Sequence, residues 1–422
     1  MLNKLLDKDV GKIRKSSYIW NSMSSVAKAA QLSIFLALIS RITNQGDAGI
    51  MSLAFSIAYM MRTIGDYSIR NFQVTDTSGK YKFADYFTSR IFTVLIMAVC
   101  SLLYILPKGY SSEKSITIFI ICVYMGIDAM EDVIHGMFQQ HDRLDIAALT
   151  EFIRYVSGMA VFACAIFITR KLWVATLVLT IFSIVFLGFL NYPFMGTWDR
   201  IEMSKDTNKV RGLLLECFPL FLSAFLSSYI NNAPKDAIDK VLDNETQGYF
   251  GMIFMPVFVV NLISTMVYRP ITVDLAWEYE QNIKKYVKDI NKQYLFIAGI
   301  MVVCILGAAL LGIPVLSLFY GVSLGQYWLS LIILIFGGGL SAAISFSSIL
   351  LTIQRKQNAM IIAYGIAAAA SVVLPVYFVE NWNILGASLL YVMLNAVILI
   401  TMCAIVAANV IVKLKDVKNT AL

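Results

Sequence analysis

The sequence predicts an all-α polytopic membrane protein, with about twelve transmembrane helices arranged as two six-helix bundles. Three observations carry this: an apolar composition, apolar runs of spanning length at regular intervals, and basic residues that alternate between successive connections. Of 422 residues, 59% are hydrophobic and 14% charged, and the mean hydropathy is +0.72. A soluble protein carries about 25% charged residues, so this chain needs lipid as solvent. The six cysteines are scattered, with no CxxC or Cys/His spacing, which speaks against a metal centre or a disulfide framework. The basic, polar start MLNKLLDKDVGKIRKSS lacks the apolar core of a removable signal peptide.

A spanning helix needs about 20 mostly apolar residues. Candidate spans lie near 18–40, 47–69, 84–106, 116–138, 146–169, 172–195, 213–233, 249–272, 293–313, 326–352, 359–379 and 384–412. If both termini and the even-numbered connections share one side, that side holds twenty-three basic residues against seven on the other. The positive-inside bias makes it the cytoplasmic side, and lysines near anionic lipid then account for the net charge of +7 without a nucleic-acid partner. The basic interruption 196–212 divides the chain into residues 1–198, a linker at 199–212, and residues 213–422. Weak self-similarity supports a parallel repeat. The segment from Asp47 aligns with that from Thr246, so that Gly49 meets Gly248, Phe55 meets Phe254 and Arg70 meets Arg269.

The polar residues inside spans are the functional candidates, because a charge at mid-membrane is costly unless it faces protein or water. Lys28 and Gln31 lie in the first span, and Arg62, Asp66 and Arg70 follow one face of the second. In the fourth span Asp128, Glu131, Asp132 and His135 recur at spacings of three and four, which makes one acidic stripe. Packed carboxylates beside a histidine suit a proton or cation coupling site, and ion pairing with Arg154 or Arg62 is the structural alternative. Glu151 and Arg154 are spaced to pair with each other. Pro234 is expected to kink or end the seventh helix, beside Asn231, Asn232 and Lys235, which suit sugar hydroxyls and phosphate. Arg70, Arg90 and Arg269 sit near span ends, where snorkelling to lipid is the simple expectation; for Arg90, lining of the interior is an equal alternative. Pro256 is expected to kink the eighth span. The segment from Asp274 reads as amphipathic, with Trp277, Ile283, Val287 and Ile290 toward the membrane interface. The segment from Ile313 reads as interfacial or re-entrant.

With twelve helices in two parallel halves and most charge in the first, the chain resembles the polysaccharide-transport branch of the multidrug/oligosaccharidyl-lipid/polysaccharide exporter superfamily, which includes the Wzx-type O-antigen and capsule flippases. NNAPKDAIDKVLDNETQGYFGMIFMP (231–256) and YSIRNFQVTD (67–76) carry the closest local likeness. The resemblance implies two bundles around a central cavity, alternating access, and a multi-pass location in the cell inner (plasma) membrane. It also implies a cationic site for the pyrophosphate of an undecaprenyl-linked oligosaccharide. By position, Lys28, Arg62, Arg154 and Lys235 would supply the charge here, with Asn231 and Asn232 beside them. No cofactor beyond a coupling proton or sodium ion is expected. The partners expected are the lipid-linked saccharide, membrane lipids and other polysaccharide-assembly proteins. A multidrug or organic-cation antiporter of the same architecture is the alternative, kept alive by the acidic stripe. An integral membrane enzyme is disfavoured because the connections are short.

Overall fold

Helices account for nearly all of the computed structural model, which describes residues 10–76, 79–191, 202–268 and 271–420. The order is α1 (Val10–Ile42), α2 (Gln45–Asp66), α3 (Ile69–Thr75), α4 (Phe83–Ile105), α5 (Ser112–Gln140), α6 (Leu144–Thr169), α7 (Leu172–Phe186) and α8 (Thr207–Val241). There follow α9 (Asn244–Phe254), α10 (Val257–Tyr268), α11 (Thr272–Gln281), α12 (Ile283–Gly307), α13 (Ile313–Tyr320), α14 (Trp328–Ile353) and α15 (Asn358–Thr420). Among the described residues, ten stretches are long and apolar enough to cross a membrane. The acidic α5 is not among them, and α15 is two helices joined at Asn383 (φ 49°, ψ −132°). Counting both gives the twelve spans expected. The chain is a multi-pass membrane protein, with two compact units: Met1–Ser228 and Tyr229–Leu422. The boundary falls inside α8.

Polar caps start several helices by satisfying backbone N–H groups that have no intrahelical partner. Asn44 Oδ1 accepts from the Asp47 N–H at 2.8 Å, and Asp243 Oδ1 from the Thr246 N–H at 2.7 Å. The second helix ends as Tyr67 (φ 44°) and Ser68 (φ 55°) both turn left-handed, an unfavourable conformation for L-residues. That turn brings Tyr67 flat against Phe221 of α8, with centroids 4.3 Å apart. Phe35, Phe55 and Phe162 centre the packing of the first unit, Phe35 standing 4.1 Å from Phe162. In the second unit the glycine run of α14 admits its neighbours closely. A Cβ at Gly339 would meet Met301 at 2.3 Å, and one at Gly337 would meet Tyr391 at 2.6 Å.

Three local expectations need correction, and one holds. Pro234 does not end its helix, which continues to Val241; proline removes one backbone hydrogen bond, and a spanning helix keeps the rest. Pro256 does interrupt its span, separating α9 from α10. Ile283 and Ile290 are buried with Tyr286, so this stripe of α12 packs on protein, and of the four residues only Trp277 is exposed. The segment from Ile313 does not re-enter. It prolongs α12 through a π-helical turn, Ala308–Gly312.

Candidate functional site

A connected set of ionised side chains lies inside the first unit. Asp128, on α5, is its hub. It accepts from Arg62 Nη1 at 2.8 Å, from the Tyr155 hydroxyl at 2.6 Å and, very closely, from Arg154 Nη2. Arg154 Nε also donates to Glu131 at 2.7 Å. Arg62 Nε reaches Asp66 at 3.1 Å. Arg90 donates to the Gly65 carbonyl at 2.8 Å and to Asp132 at 3.0 Å, and Arg70 reaches Asp132 at 2.7 Å. Lys28 closes the other edge more loosely, 3.5 Å from Glu151 and 3.9 Å from Asp128.

Helix periodicity explains the convergence. Asp128, Glu131, Asp132 and His135 share a face of α5, which packs between α2, α4 and α6. The five cations Lys28, Arg62, Arg70, Arg90 and Arg154 meet the five carboxylates Asp66, Asp128, Glu131, Asp132 and Glu151. The cluster is therefore neutral when fully ionised. Such neutrality is what an apolar interior demands, since the desolvation penalty is several kcal/mol per unpaired ion. His135 is buried, 3.2 Å from Thr150 Oγ1 and 3.7 Å from Glu131. The arginine guanidinium of residue 154 also lies over the ring of Tyr155 at 4.6 Å.

Several candidates take places other than those expected. Glu151 pairs with Lys28, not with Arg154, which turns across to α5. Arg90 does not snorkel to lipid; it is wholly buried, because Asp66, Asp132 and a backbone carbonyl offer it more than headgroups would. Arg70 likewise turns inward onto Asp132 and Gln139. Arg269 lies outside the described residues. Tyr155 and Tyr124 were missed, although Tyr124 stands one helical turn before Asp128 and its hydroxyl oxygen accepts from Gln31 Nε2 at 2.7 Å. Their signal was adjacency to the charges on the same faces.

The second unit holds a different kind of group. Lys235, on the last two turns of α8, is 5% exposed. Among the described residues it makes no ion pair; its ammonium lies 4.8 Å from the ring centroid of Phe254 on α9. Asn232 beside it is buried and Asn231 exposed. Gln247, on α9, is 1% exposed with neither amide atom hydrogen-bonded.

Residues 14–275 match the family described as polysaccharide biosynthesis protein. The chain belongs to that family. The chain is similar to the capsular polysaccharide biosynthesis protein CapF of Staphylococcus aureus, 22% identical over 327 residues, which are 76% of this chain and 80% of CapF. Among solved structures, an inward-facing multidrug resistance MATE family transporter of the MOP superfamily superposes with a TM-score of 0.71. It is 13% identical, over 93% of this chain and 96% of that one. Lipid II flippase MurJ in an inward closed conformation gives a TM-score of 0.68 at 14% identity, over 92% of this chain and 89% of MurJ. These likenesses show that the chain shares the fold of those two proteins.

Proposed function

We propose that this protein is a flippase for a lipid-linked oligosaccharide of the undecaprenyl-pyrophosphate type, serving cell-surface polysaccharide synthesis. Membership of the polysaccharide biosynthesis family over residues 14–275 is the observation that carries the reading. The capsular relative and the flippase fold of MurJ support it. In this reading the protein lies in the inner membrane with both termini cytoplasmic, and exposes its headgroup contacts to the two faces in turn.

The physical problem is the headgroup. A pyrophosphate carries negative charge that hydrocarbon cannot solvate, so the transporter must supply donors and positive charge along the path. Lys235 is the cation best suited, because no carboxylate holds it; an unpaired lysine at membrane depth is a functional candidate by default. Lys28 is the second. Its contacts to Glu151 and Asp128 are the longest of the cluster, and its side chain is 31% exposed, so a phosphate can take the place of Glu151. Arg62 and Arg154 act through Asp128, fixing the helices that carry Lys28's partners. Asn231 and Asn232 offer hydrogen bonds to sugar or phosphate. No protein cofactor is invoked.

A multidrug or organic-cation antiporter is the second reading, favoured by the carboxylates Asp128, Glu131 and Asp132. Each of the three already has an arginine on it, which lowers the appeal of the cluster to a foreign cation. Reconstituted vesicles decide between them. With fluorescent lipid-linked saccharide in both leaflets, loss of the inner-leaflet fraction protected from an external glycosidase or quencher reports flipping. Flipping that depends on Lys235 supports the proposal. Absence of flipping, together with proton-driven efflux of an organic cation dye, sinks it.

A further inference from the structure

A polar groove of about 480 Å³ opens in the second unit between α11 and the start of α12. Its depth in the membrane follows from helix arithmetic. The stretch Ile283–Tyr320 has 38 residues, about 57 Å at 1.5 Å per residue, whereas the hydrocarbon core is about 30 Å thick. The apolar run starts at Tyr294, so the preceding IKKYVKDINK stands in the headgroup layer. Trp277, 62% exposed at the rim, has the amphipathic ring favoured at that level.

The lining mixes both signs. Asp274, Glu278 and Asp289 face it with Lys285 and Lys292. Lys285 Nζ donates to Glu278 Oε1 at 2.8 Å. Glu278 is 3% exposed, yet its Oε2 has no partner; Gln293, 8% exposed and also in the lining, has an unpartnered Oε1. Among the described residues, the side chains of Asp274 and Asp289 make no hydrogen bond or ion pair, and Lys292 meets only the ring of Phe296, at 5.9 Å. Buried acceptors without donors are uncommon and costly. The groove is also held in shape: Lys413 bonds Glu280 at 2.9 Å and lies over the Tyr279 ring at 3.7 Å, fixing α11 to α15.

We infer that this groove binds the headgroup of phosphatidylethanolamine from the surrounding bilayer. A primary ammonium supplies several donors at once, for Glu278 Oε2, Gln293 Oε1 and Asp289. The phosphate, two carbons away, meets Lys292. A choline headgroup has the same charges but no N–H to donate, and a glycerol headgroup has no cation for the carboxylates. The ligand is thus defined by hydrogen-bonding capacity as well as by charge. This site is independent of the headgroup contacts proposed for transport.

Native mass spectrometry of the full-length protein, released from mixed micelles with equal phosphatidylethanolamine, phosphatidylcholine and phosphatidylglycerol, tests this. Phosphatidylethanolamine should be retained about tenfold over either competitor, the worth of one charge-assisted hydrogen bond. Asp289→Asn and Lys292→Gln should each erase most of that preference while leaving the thermal midpoint unchanged. Soluble glycerophosphoethanolamine at equal concentration should not displace the lipid. Equal retention of the three lipids by the unaltered protein overturns the inference without recourse to variants. So does a preference that survives both substitutions, or displacement by the soluble headgroup, which would mean that the bilayer is not the source.

Discussion

The two compact units bury charge in opposite ways. The first gathers five cations and five carboxylates into one hydrogen-bonded set around Asp128. The second buries Lys235 against an aromatic ring, with no carboxylate among the described residues. A paired network holds helices in register and spends its charge internally. A solitary buried ammonium has no counter-ion to offset its desolvation and so costs stability. The count of buried cations is therefore a poor guide to which of them meet substrate.

Substitutions sharpen the contrast. Asp128→Ala should have the largest effect, because it removes the carboxylate that Arg62 and Arg154 share and leaves the buried set with one uncompensated positive charge; breaking a buried pair costs about 3–5 kcal/mol. The purified variant should melt well below the parent or fail to accumulate, and a parental melting curve would show that the network is not structural. Lys235→Met should behave in reverse. Replacing an unpaired buried ammonium by an apolar chain of similar size should hold or raise the thermal midpoint. Flipping should fall about tenfold or more, as for loss of a charged hydrogen bond. A variant with full flipping would remove Lys235 from the site. Lys28→Gln lies between the extremes: Lys28 and its nearer partner Glu151 are both partly exposed, so the stability cost should stay below about 1 kcal/mol, with a measurable loss of flipping in the same vesicles.

The smallest effect concerns the scaffold of the second unit. Asp243 caps α9, the helix that carries Phe254 beneath Lys235. The Thr246 backbone N–H bonded to its carboxylate holds its pKa below the ordinary 3.8. A depressed carboxylate stabilises the fold above its unfolded pKa and loses that contribution as pH falls through the folded value. Asp243→Ala should cost about 1 kcal/mol at neutral pH, and the gap from the parent should close as the solution is acidified. Asp243→Asn keeps a capping oxygen and should flatten that pH dependence. Chemical denaturation at several pH values in detergent measures both.

Much of the architecture was readable in one dimension, because a bilayer demands long apolar helices and leaves few alternatives. Each of the twelve expected spans has its helix, and the stripe from Asp128 to His135 followed from spacing alone. What spacing leaves open is the partner. Glu151 stands one turn from Arg154 and pairs with Lys28, more than a hundred residues away. Arg90 looked like a boundary residue and is buried on Asp66 and Asp132. Pro234 looked like a kink or a stop and lies within a helix that continues for another seven residues.

The sequence by itself determined that the chain crosses a membrane many times, which faces of its helices are polar, and that arginines and carboxylates would have to meet. Those properties follow from composition and from a period of 3.6 residues, which are local. Only the tertiary structure decided who meets whom, because ion pairing depends on distances between helices that are remote in the chain. It neutralised the charges of the first unit and left Lys235 without a counter-ion in the second.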